Sequence, residues 1–66
     1  MLEFKVNEDR AGQRLDNALF FWCPGAPKSL IYRLLRKGAI RINNRRQKDP
    51  KFRLSEGDQV RMPELT

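Results

Sequence analysis

Few side chains in this 66-residue chain could make or break a covalent bond. There is no histidine, and Cys23 is the only cysteine. One cysteine can neither close an internal disulfide nor complete a zinc site. Cys23 ends the apolar run that begins at Ala18, so it reads as a core residue rather than a reactive thiol. Ser29 follows Pro27-Lys28 at a helix start, where a hydroxyl serves the helix rather than attacking a carbonyl. Asp16, in Arg14-Leu15-Asp16, also stands at a helix start, where a carboxylate favours the positive end of the dipole. Arg14 can pair with it or reach a phosphate. Catalysis needs an acid, base, nucleophile or metal in a pocket that excludes water. These residues do not assemble one, so the chain alone is expected to be non-catalytic and to need no cofactor or metal.

What the chain does offer is positive charge. Lys and Arg number 14 against 8 Asp and Glu, a net of +6. Between Lys28 and Arg53 there are ten basic residues and a single acid, Asp49; the rest of the chain holds four basic residues and seven acids. A field this lopsided attracts polyanions and speeds encounter with them. Aromatic residues make up only 9%, so stacking on single-stranded bases is not the obvious mode. No apolar run approaches the ~18 residues that span a bilayer. The first residues show no signal-peptide pattern. The expected setting is the cytoplasm, without a membrane.

The elements that must hold these charges can be read in order. Leu2 to Val6 alternates apolar and polar residues, a short strand. A helix is predicted from about Gln13 to Trp22, with Leu15, Ala18, Leu19 and Trp22 on one stripe. Phe20 and Phe21 fall off that stripe; they either widen the buried face or mark a surface to be covered. Pro24-Gly25 stops the helix. A second helix is predicted from Pro27 to about Lys37, capped by Gly38. Leu30, Ile31, Leu34 and Leu35 share one side of it, and Ser29, Arg33, Arg36 and Lys37 the other. A hairpin follows: Ala39 to Ile42, a turn at Asn43-Asn44, and Arg45 to Lys48. A type I′ turn needs positive φ at both central residues, which Asn tolerates. Ile40 and Ile42 face inward and Arg41 outward. Phe52 and Leu54 alternate again, Ser55 to Asp58 turns, and Gln59 to Met62 forms a last strand. The whole is a compact α+β domain, residues 1–66, with 1–11 as strand and lead-in and 12–62 as the core module. At this size a core supplies a margin of only roughly 3–5 kcal/mol.

Four segments, in order, resemble one known module. They are Gly12-Gln13-Arg14-Leu15-Asp16, Pro27-Lys28-Ser29, Arg36-Lys37-Gly38-Ala39-Ile40-Arg41-Ile42-Asn43-Asn44, and Glu56-Gly57-Asp58-Gln59-Val60. The module is the RNA-binding domain named after small-subunit ribosomal protein S-four. The wording is most similar to the N-terminal domain of RluC-type ribosomal large-subunit pseudouridine synthases, which carry a separate catalytic domain downstream. One departure is Asn44, where that family usually has glycine. Pseudouridine synthases of this type also place a catalytic aspartate in an Arg-Leu-Asp motif that runs on into Thr-Ser-Gly. Here Asn17-Ala18-Leu19-Phe20 follows instead, and Asp16 is not expected to be catalytic.

The resemblance implies an αL-type RNA-binding motif, two helices on a short, mainly antiparallel sheet, with the second helix and the hairpin facing structured RNA. Large-subunit rRNA is the expected partner, DNA is not, and a catalytic domain of the same polypeptide is expected beside it. The candidate RNA contacts are Arg14, Lys28, Ser29, Arg33, Arg36, Lys37, Arg41, Arg45, Arg46 and Lys48. Two alternatives stand beside this reading: a stand-alone ribosome-associated protein of the same fold, and a protein-docking domain that uses Phe20 to Trp22.

Overall fold

The computed structural model describes residues 2–64. Four strands and two helices run in the order β1 (Leu2–Lys5), α1 (Leu15–Trp22), α2 (Lys28–Lys37), β2 (Arg41–Ile42), β3 (Arg45–Arg46) and β4 (Gln59–Met62). The strands form one antiparallel sheet in the order β1-β4-β2-β3. Two helices and this sheet make a small α+β domain.

Alternation sets the two faces of the sheet. Val60 and Met62 of β4 are fully buried, as is Ile40 just before β2, and Ile42 is nearly so. Leu15, Ala18 and Leu19 of α1 and Ile31 and Leu35 of α2 meet them in one core. Val6 and Leu54 close its edge. Cys23 belongs to this core, with its Sγ 3.6 Å from Met62 Sδ, and burial pushes its thiol pKa up. A protonated, enclosed thiol is a packing group.

Helix α1 begins at Leu15, the first residue of its apolar stripe and two residues later than the predicted start at Gln13. The lead-in is held as extended chain against residues 52–54: Gly12 N donates to Leu54 O, Leu54 N to Gln13 O, and Leu15 N to Phe52 O. A bridge between Arg14 and Arg53 seals this pairing. The Phe52–Leu54 alternation therefore yields a single bridge rather than a strand. The same backbone groups cannot serve both a helix turn and this ladder.

Helix α2 ends as expected. Gly38 adopts φ 74°, ψ 25°, and Ala39 N donates to Leu34 O at 3.0 Å, a Schellman-type closure. The hairpin turn also matches its residues: Asn43 and Asn44 have φ of 52° and 70°. Asn44 accepts the left-handed conformation without being glycine. Only Arg41–Ile42 and Arg45–Arg46 pair as strands, shorter than the alternation suggests, although Gln47 N still reaches Ile40 O. No helix of the described residues is long and apolar enough to cross a membrane.

Candidate nucleic-acid interface

The outward face of the sheet carries an unusual row. Register places Glu3 opposite Arg61, Arg61 opposite Arg41, and Arg41 opposite Arg46. Three arginines thus lie side by side across β4, β2 and β3. Directly opposed like charges destabilise a sheet. Only Arg61 is relieved, by Glu3 at 3.1 Å. Arg41 and Arg46 are exposed, and neither pairs with a carboxylate among the described residues.

This row runs on to the end of α2. A Cβ at Gly38 would lie 3.2 Å from Lys48 Cε and 3.3 Å from Arg46 Cδ. The missing side chain lets both basic residues lie over the helix C-terminus. That end carries partial negative charge, which favours cations, and Arg36 and Lys37 already occupy its last turn. Along α2, Lys28, Tyr32 and Arg36 form one i, i+4, i+8 row, with Ser29, Arg33 and Lys37 beside it. Lys28, Ser29, Arg33, Arg36 and Lys37 are all exposed.

Two candidates behave differently from the rest. Arg45 is paired with Ile42, so alternation turns it toward the opposite side of the hairpin from Arg41 and Arg46. There it lines a polar recess with Asn43, Gln47, Phe52 and Asp58, whose rim Arg46 also reaches. Arg14 is half-buried and engaged: its Nε and Nη2 donate to the two oxygens of Asp16 at 3.2 and 2.9 Å. Asp16 is 2% exposed and is the buried charged residue of the described chain. Its carboxylate also accepts from Asn17 N and from the Tyr32 hydroxyl, at 2.8 and 3.0 Å. Four hydrogen bonds compensate its desolvation. Donation to Asp16, with partial burial and the negative charge itself, pushes the Tyr32 hydroxyl pKa up. Arg14 thus reaches the basic face by fixing Asp16 and, through it, Tyr32. Residue types alone do not reveal this Tyr32 link or the close approach at Gly38. The only hint in the sequence is that Tyr32 lies four residues from both Lys28 and Arg36.

The hairpin is braced from its turn. Asn43 Nδ2 donates to Asp58 Oδ1, and Asn43 Oδ1 accepts from Gln59 N. Asp58 Oδ2 in turn accepts from Ser55 N at 2.8 Å. The turn before β4 and the tip of the hairpin are therefore one rigid corner.

The aromatic cluster of α1 does not form a single patch. Phe20 packs edge-on against Tyr32 at 5.8 Å. Phe21 is 58% exposed, with the Arg10 guanidinium 3.7 Å above its ring. Trp22 stacks on Phe4 at 4.8 Å and lines an apolar groove of about 610 Å³ with Leu2, Leu30, Leu34 and Pro63.

Comparison with known proteins fits this geometry. The sequence pattern of the S4 domain matches residues 13–60. The chain belongs to the S4 domain family. The S4 match takes in α1, α2 and the hairpin and ends within β4. Among curated proteins, the chain is 52% identical over 58 residues to ribosomal large subunit pseudouridine synthase C of Escherichia coli K12. The Salmonella typhi enzyme of that name is 54% identical over 58 residues, and the Haemophilus ducreyi enzyme 52% over 60. These matches cover 88–91% of this chain but only 18% of each enzyme. The similarity is therefore to the S4 part of those enzymes.

Proposed function

We propose that this S4 domain binds structured large-subunit rRNA through α2 and the β2–β3 hairpin. It does so as the non-catalytic, substrate-positioning part of a pseudouridine synthase whose chemistry lies in another domain of the same polypeptide. The observation that carries the reading is the uncompensated charge. Lys28, Arg33, Arg36, Lys37, Arg41, Arg46 and Lys48 are exposed and make no ion pair among the described residues. They run along one helix and over its glycine cap onto the hairpin. A rigid cationic ridge suits phosphates, which fix position and orientation rather than sequence. Side chains scarcely reach into the deep major groove of A-form RNA, so backbone geometry is the natural target. Ser29 adds a hydroxyl at the start of the ridge. Arg45 contributes from the flank of the hairpin and Arg14 through its hold on Asp16. The relatives' name, ribosomal large subunit pseudouridine synthase C, supports the rRNA assignment.

The test is a salt titration of binding to a structured rRNA fragment, with wild type beside the triple variant Arg36→Ala, Arg41→Ala, Arg46→Ala. Neutralising six phosphates gives a log–log slope of roughly −4 to −5. Loss of three contacts should flatten it by roughly 2–2.5 units and weaken binding. Equal affinity and slope for both proteins would overturn the ridge as the RNA-binding surface.

The apolar groove beside Trp22 favours a second role, docking against a protein partner. Its position at Leu2 and Pro63 separates it from the basic ridge. Trp22→Ala should then weaken assembly without changing the salt slope on RNA.

A further inference from the structure

A recess lies where the ridge bends from α2 onto the hairpin. Tyr32, Leu35, Arg36, Lys48 and Pro50 line about 370 Å³. That volume sits at the lower end of small-molecule sites, about 300–1,000 Å³. Pro50 and the Tyr32 ring supply apolar surface over the buried Leu35, and the two cations stand with them. A phosphate alone gains nothing from apolar walls, and an apolar peptide gains nothing from two unpaired cations. A nucleotide uses both: a flat base against the apolar surface and phosphates against Arg36 and Lys48.

The ring is unusually well prepared for this. Tyr32 is 36% exposed, yet its hydroxyl is tied to Asp16 at 3.0 Å and its ring meets Phe20 at an interplanar angle of 76°. Asp16 is itself buried and gripped by Arg14. A stacking surface that cannot rotate loses little entropy when a base lands on it.

We propose that this recess receives one unpaired RNA base, stacked on Tyr32, with Arg36 and Lys48 on the flanking phosphates. The proposal rests on the RNA-binding reading and refines it, because a single locked ring provides stacking that the low aromatic content argues against. It predicts preference for RNA carrying an extruded base, tolerant of which base it is.

The experiment uses three hairpin RNAs of one sequence: fully paired, with a single adenosine bulge, and with an abasic residue at the bulge. Wild type should bind the adenosine bulge about ten-fold more tightly than the abasic one, the size of a single stacking contact. Tyr32→Leu should erase that difference while keeping the salt slope on the paired hairpin. Tyr32→Phe, which keeps the ring, should retain most of it. In wild type, 2-aminopurine placed at the bulge should lose fluorescence on binding, a readout that needs no variant. Equal binding of adenosine and abasic bulges by wild type, with a steep salt slope on all three RNAs, would overturn the base site and leave the ridge standing. Absence of salt-dependent binding to any of them would overturn both.

Discussion

If the arginine row serves RNA rather than the fold, removing its middle member should stabilise the protein and weaken binding together. Arg41→Gln tests this, since Arg41 lies between Arg61 and Arg46. Two unit charges about 6 Å apart in water repel by roughly 0.7 kcal/mol. Glu3 largely offsets Arg61, which leaves about one such repulsion, from Arg46. A Debye length of about 10 Å at 0.1 M salt reduces it to roughly 0.4 kcal/mol, and about 3 Å at 1 M to roughly 0.1. Arg41 is exposed, so no packing is lost. The variant should therefore unfold about 2–3 °C higher at low salt and at nearly the wild-type temperature in 1 M salt. Its RNA salt slope should fall by about 1 unit. Thermal unfolding by circular dichroism at both salts, beside RNA titrations, measures all three. A destabilised variant would refute the reasoning, as would a gain that persists unchanged in 1 M salt. Either would mean that Arg41 holds the sheet by contacts other than charge.

Three further outcomes follow from the same geometry. Gly38→Ala should lose about 1–2 kcal/mol in urea unfolding, because it forces φ 74° on a residue with a Cβ close to Lys48 and Arg46; Gly38→Asn should lose less, since Asn tolerates that backbone, and equal losses would exclude φ as the cause. Tyr32 is the only tyrosine, so ultraviolet titration reads its phenol alone. Its midpoint should lie above the ordinary 10.0 and drop in Asp16→Asn. A raised value favours the protonated form in the folded state, so its contribution is intact below pH 10 and is lost as pH rises through the folded midpoint. Asn43→Ala should cost about 0.5–1.5 kcal/mol by removing solvent-exposed hydrogen bonds to Asp58 and from Gln59 N, and faster amide exchange at the hairpin tip should accompany it.

Much of this was legible in the residues because local rules and the fold agree. The β4 strand spans Gln59–Met62 as its alternation and flanking turn and proline require. Asn43-Asn44 and Gly38 sit in the backbone region that their types allow. The start of α1 was less legible. Arg14 is taken by the bridge to Arg53, far away in sequence, and no local propensity encodes such a pairing. The arginine row was hidden for a similar reason. Arg41 could be turned outward from alternation, but its neighbours Arg46 and Arg61 follow only from strand register. Alternation within Arg45–Arg46 could have split that pair between faces, yet the high charge of the segment suggests one surface.

The placement of the buried carboxylate shows how charge and fold are reconciled. A chain this small has a stability margin of only roughly 3–5 kcal/mol, and a lone buried charge would consume much of it. Asp16 is nonetheless kept at 2% exposure. It joins the lead-in, through Arg14, to the exposed side of α2, through Tyr32. An aliphatic residue there would pack the core but leave Arg14 and Tyr32 free to swing. Asn43 and Asp58 brace the hairpin in the same way from the far side. Repelling cations spread apart unless the scaffold restrains them. By bracing the backbone that carries them, the two clamps let the domain present its cations from a fixed scaffold, so that less backbone ordering entropy is lost on binding.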